Sequence, residues 1–122
     1  MKIYKTKFFS KWQKKSSELD DDALVQAIEE LSNGLFEANL GGNIYKKRVA
    51  KKGFGKRSSY RTIIATKFAE VWIFIYGFSK NELDNISQED LDSLKELAND
   101  LLSIPSDKLS KVVEVIYEKQ NK

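Results

Sequence analysis

Histidine and cysteine are both absent from this chain. Their absence removes the usual general base near neutral pH and the thiolate nucleophile. It also leaves a structural zinc site without its customary ligands. Any catalysis must rest on Lys, Arg, Tyr, Ser or carboxylates. The richest supply of such groups is KKRVAKKGFGKRSSYR, residues 46–61, where Lys46, Lys47, Arg48, Lys51, Lys52, Lys56, Arg57 and Arg61 make up eight of sixteen positions. No acid occurs in the 32 residues from Ala38 to Ala69. Solvated surfaces usually mix signs, so a one-sign run of this length points to an anionic partner. Forked Arg donors and mobile Lys ammonium groups suit a phosphate backbone. Tyr45, Phe54 and Tyr60 are interleaved aromatics able to stack on bases. The GFGKRSS segment does not form a P-loop. Ala50 stands at the first glycine position, Arg57 at the hydroxyl position, and no helix follows to face a phosphate. No cofactor and no metal are expected.

These groups need a scaffold, and hydrophobic periodicity supplies one. Ile3 and Tyr4 begin a short strand. Phe8, Phe9 and Trp12 mark an amphipathic helix over about 5–16. Asp20, Asp21 and Asp22 open a second helix carrying Leu24, Ile28 and Leu31 on one face, and Asn33-Gly34 stops it. Gly41-Gly42-Asn43 is a turn. Residues 44–50 and 60–66 read as strands joined by a basic loop. The apolar run VWIFIYGF, residues 71–78, reads as a buried central strand. Ser87, followed three residues later by Asp90, caps a helix over about 87–103. Beyond Pro105, the spacing of Leu109, Val112, Val113 and Ile116 predicts a last helix over about 106–118. The expected order is β-α-α-β-β-β-α-α, an α+β fold with an antiparallel sheet packed against helices, as a single domain over 1–122.

Alternation along a strand puts Lys46 and Arg48 on one face and Lys47 on the other. If the two strands pair across residues 51–59, Arg61 joins Lys46 and Arg48 in one cationic concavity. Lys51, Lys52, Lys56 and Arg57 then form a basic rim. The net charge of +3 hides this polarity. Residues 82–107 carry eight acids against one base, Lys95, which gives the molecule a basic and an acidic pole. The longest apolar run is far short of a membrane span of roughly 20 residues, and the N-terminal segment has no secretory h-region. A reducing cytoplasm is the expected compartment.

Taken in order, GGNIYKKRVA (41–50), KKGFGKRSS (51–59), YRTIIAT (60–66) and VWIFIYGFSKNE (71–82) resemble the RelE-like toxins of bacterial type II toxin–antitoxin modules, within the RelE/ParE superfamily. The resemblance covers most of the chain and is strongest over 40–102. It implies a ribosome-dependent mRNA endoribonuclease (an mRNA interferase) that inhibits translation by metal-independent attack of the 2′-OH. It carries catalytic positions onto Lys46, Arg48, Arg61 and Lys80. Within that set Arg61 is the main charge stabiliser, Lys80 aids the transition state or leaving group, and Lys46, loosened by cationic neighbours, is a candidate base. Lys47, Lys51, Lys52, Lys56, Arg57 and Tyr60 form the expected RNA- and ribosome-binding set. Some family members place a catalytic Tyr near the C-terminus. Tyr117 falls within the expected last helix, so that role is not carried over, and Tyr76 is only a weak substitute. The implied partners are a cognate antitoxin, with a helix-turn-helix protein among the candidate types, and the ribosome with its mRNA, with no membrane. Two other readings stand beside this one: a ParE-like, non-enzymatic toxin that binds gyrase, and a degenerate basic RNA-binding module.

Overall fold

A computed structural model of the chain describes residues 1–15, 19–51, 55–79 and 86–118. Strand β1 (Lys2–Lys5) leads into α1 (Lys7–Lys14), whose N-cap Thr6 accepts a hydrogen bond from the Phe9 amide at 3.0 Å. The expected Asp20 cap is present. Its carboxylate accepts from the Ala23 amide at 2.9 Å and opens α2 (Asp21–Ser32). Asp21 and Asp22 add negative charge to the first turn, where the helix dipole favours it.

A short strand, β2 (Ala38–Gly41), precedes the Gly-Gly-Asn turn and was not expected from the sequence. The turn holds Gly41, Gly42 and Asn43 at φ of 80°, 59° and 66°, a conformation open to glycine and tolerated by asparagine. It returns the chain into β3 (Ile44–Lys51), with Ala38 opposite Lys46. β4 (Gly55–Lys67) starts earlier than expected, so Lys56 and Arg57 lie on a strand backbone rather than in a loop. β5 (Val71–Ser79) follows and is buried on both faces, as its apolar sequence predicts.

The sheet order is β2-β3-β4-β5-β1-β6. β3, β4 and β5 form the expected antiparallel meander, whereas β1 runs parallel to β5, so the sheet is mixed rather than wholly antiparallel. α3 (Gln88–Leu102) starts at Ser87, whose hydroxyl accepts from the Asp90 amide at 3.1 Å. The expected last helix over 106–118 is corrected. Only one turn, α4 (Ser106–Leu109), is helical, and β6 (Glu114–Glu118) follows it. Leu109, Val112, Val113 and Ile116 do have helical spacing, but VVEVIY is β-branched and β1 has an open side. Antiparallel pairing with β1 prevails.

The sheet separates two cores. One holds Phe9, Leu24, Ile28, Leu31, Val49 and Trp72 beneath α1 and α2. The other holds Ile44, Ile63, Ile73, Phe78, Ala98 and Leu101 beneath α3. The result is an α+β domain of three layers. No helix among the described residues is long and apolar enough to cross a membrane.

Candidate functional site

Position along β3 decides where each basic side chain goes. Ile44 lies in the core beneath α3, so Lys46 and Arg48 share its face. Tyr45 and Val49 pack into the other core, and Lys47 turns with them. On β4, Ile63 and Ala65 belong to the α3 side, which places Arg61 on the same face as Lys46 and Arg48. Arg48 and Arg61 occupy directly opposed positions of the ladder, and Phe78 lies opposite Arg61 on β5.

Two like charges directly opposed across a sheet destabilise it. Here a carboxylate lies against both. Glu37 Oε1 is 3.3 Å from Arg48 Nε and 3.3 Å from Arg61 Nε, while Glu37 Oε2 is 3.8 Å from Lys46 Nζ. The three sequence-predicted cations therefore converge on a single acid. Arg61 is the most enclosed of them, with its side chain 13% exposed, against 49% for Arg48. The Arg61 Nη1 atom is buried without a hydrogen-bond partner. Among the described residues, the cluster holds two more positive charges than it neutralises.

Glu37 is the residue that the sequence reading missed. It was visible there only as the boundary of the acid-free run. The missing step was the β2–β3 hairpin, which folds Glu37 back beside the strand it precedes, with its amide donating to the Lys46 carbonyl at 2.8 Å. The cluster is thus not uncompensated. The Lys46 base role rested on crowding by cations, but a carboxylate oxygen also stands beside its ammonium.

Two residues of the expected RNA-binding set lie on the other face of the sheet. Lys47 is 6% exposed and donates to Glu30 Oε1 on α2 at 2.7 Å. It ties the sheet to the helix and lies on the side away from Lys46 and Arg48. Tyr60 is 6% exposed and packs edge-on against Trp12 with centroids 5.2 Å apart, which leaves no ring face for a base. Lys51 ends β3, and Lys56 and Arg57 lie early in β4. The side chains of these three, together with Lys52, Phe54 and Lys80, are outside the described residues.

The arrangement can grip an anionic oxygen with planar, forked donors while a carboxylate waits beside it. A family model described as "RelE toxin of RelE / RelB toxin-antitoxin system" matches residues 1–117. No curated protein matches the chain.

Proposed function

The chain belongs to the RelE toxin family, the toxin half of a toxin–antitoxin module, and from that premise we propose that it is a ribosome-dependent endoribonuclease that cuts mRNA and halts translation. The observation that carries this reading is the convergence of Lys46, Arg48 and Arg61 on Glu37. RNA brings its own nucleophile, so the enzyme must take a proton, offset charge at phosphorus and help a leaving group depart. Glu37 accepts the 2′-OH proton as general base. The O2′–P bond forms and the P–O5′ bond breaks, leaving a 2′,3′-cyclic phosphate and a 5′-hydroxyl. Arg61 offsets the charge that develops on the phosphoryl oxygens. Its unpaired Nη1 gives it a donor still to be satisfied. Arg48, the most exposed of the three, and Lys46 grip flanking phosphates. Lys80, the position that the family resemblance assigns to the leaving group, delivers a proton to the departing 5′-oxygen. A carboxylate is a weak base for a hydroxyl at neutral pH, which fits dependence on the ribosome to hold the mRNA in line.

The test is induction of the chain in a bacterium with ribosome-bound mRNA mapped by primer extension. New 5′ ends are expected within the decoding site. Intact mRNA, or intact mRNA with inhibited gyrase, would overturn the proposal. Arg61→Ala should remove cleavage by about 10²–10³-fold while the fold is retained.

A further inference from the structure

The face away from the cationic cluster carries a second site with different chemistry. A cleft of about 350 Å³ opens beside the end of α2, walled by Leu31, Phe36, Tyr45, Thr66, Phe68 and Trp72. Thr66 and Trp72 are directly paired across β4 and β5. Thr66 Oγ1 and Trp72 Nε1 are both buried without a hydrogen-bond partner, and Trp72 is only 3% exposed. Buried polar side-chain atoms normally find partners, so two orphans in one cleft call for a group that accepts a hydrogen bond.

The rim adds a second, independent observation. Phe68 is 85% exposed, and Phe36 is 42% exposed. Phe68 and Ala69 sit at φ of 55° and 56°, closing a two-residue turn in which the Glu70 amide donates to the Lys67 carbonyl at 3.2 Å. Such turns favour Asn-Gly, because side chains disfavour this conformation. A strained backbone that holds a large ring in water is a feature found at binding sites.

The described residues lining this cleft carry no charge, and the cation at its rim, Lys67, lies over the Phe68 ring at 5.7 Å, so the cleft suits an apolar group better than a phosphate chain. Phe36 also borders a neighbouring cleft of about 330 Å³, which runs by Leu35, Glu37 and Arg48. Phe36 is common to both clefts, so a segment seated at Phe68 that passes over Phe36 would reach Glu37 and Arg48. That path fits a peptide with an apolar anchor at one end and acidic residues at the other.

We infer that this cleft is the anchor site of the cognate antitoxin, which places an apolar side chain between Phe36 and Phe68 and a backbone carbonyl against Trp72 Nε1. The same segment then runs past Phe36 and sets an acidic side chain on Arg48. This rests on membership of the toxin family and not on the cleavage reaction.

The test pairs the double variant Phe68→Asn/Ala69→Gly with the purified cognate antitoxin. The variant carries the preferred turn sequence, so its Tm should rise. Its affinity for the antitoxin should fall by about tenfold or more, and neutralisation in cells should weaken while toxicity without antitoxin persists. In the wild-type complex, the Trp72 indole N–H resonance should shift and gain protection from exchange, with Trp12 as the internal control. Undiminished affinity, or a Trp72 resonance unmoved by the antitoxin, would overturn the inference. So would a toxin that self-associates through this face and loses only that association in the variant. Antitoxin affinity is measured without reference to cleavage, so failure of the nuclease reading leaves the result interpretable.

Discussion

Replacing Glu37 with Gln separates the two things a carboxylate among cations can do. Glu37 lies 3.3–3.8 Å from Arg48, Arg61 and Lys46. Unit charges about 4 Å apart interact by about 4 kcal/mol at an effective dielectric of 20. These side chains are 13–49% exposed, so screening and lost side-chain freedom reduce each pair to about 0.2–1 kcal/mol. Gln keeps one acceptor oxygen, so the net loss of stability should be near 1 kcal/mol, a fall in Tm of roughly 3–6 °C. The effect on chemistry is far larger. Loss of a general base should slow single-turnover cleavage of ribosome-bound mRNA by about 10²–10⁴-fold. Affinity should move the other way, because one negative charge has left a site proposed to bind phosphate. Binding is read separately with an mRNA carrying a 2′-deoxy residue at the scissile position, which cannot be cut. A cleavage rate within about threefold of wild type would refute the base assignment. A slower rate matched by equally weak binding would refute it too. Faster cleavage would identify Glu37 as an internal competitor of the phosphate.

Three further outcomes follow from the geometry. A Cβ at Gly77 would stand 2.4 Å from the Trp12 ring, and that ring is held by Phe9 and Tyr60. Gly77→Ala should therefore lower stability by about 1–3 kcal/mol in denaturant titrations. Lys47 lies on the α2 side, paired with Glu30. Lys47→Met should leave ribosome-dependent cleavage within about threefold of wild type, and a larger loss would return Lys47 to the RNA-binding set. Burial pulls the Asp21 carboxyl upward, but hydrogen bonds from Gln13 and Lys5, together with the Lys5 charge, outweigh it and hold the group below its ordinary value. With the folded value depressed, the stabilisation is present above the unfolded value near pH 4 and is lost as pH falls through the folded one. Asp21→Asn should flatten that acid limb of a stability-versus-pH profile and leave the neutral region less stable.

The α+β class, the caps at Asp20 and Ser87 and the three-strand meander were legible because each has a local cause. A side-chain oxygen meets an amide three residues on, or a β-branched run lies between turns. What stayed hidden depended on partners distant in sequence. Val112, Val113 and Ile116 carry helical spacing and strand composition together. Only the open side of β1, more than a hundred residues earlier, decides between them. Ala38–Gly41 is too short and too mixed to announce a strand until β3 pairs with it. Glu37 became part of the cationic cluster by that same pairing. Tyr60 looked like a stacking residue because aromatic type says nothing of side. The neighbouring Arg61 faces out of the opposite side, as alternation requires.

Register is thus the variable on which the site depends. One basic run, KKR, serves two faces. Lys46 and Arg48 meet Glu37, while Lys47 meets Glu30. A slip of one residue would exchange these roles, placing Lys47 at the cluster and driving Arg48 into the core under α2. Several contacts oppose that slip. Ile44 and Val49 are buried on opposite faces, the Thr62 hydroxyl donates to the Lys47 carbonyl at 2.9 Å, and the Gly-Gly-Asn turn fixes where β3 begins. The part-buried Lys47–Glu30 pair adds little to this lock, because a slip by one residue would bring Arg48 or Lys46 to Glu30 in its place. The apolar neighbours on each face therefore set the register, with Lys47 paired to α2 and its two neighbours on the face where Arg61 and Glu37 stand.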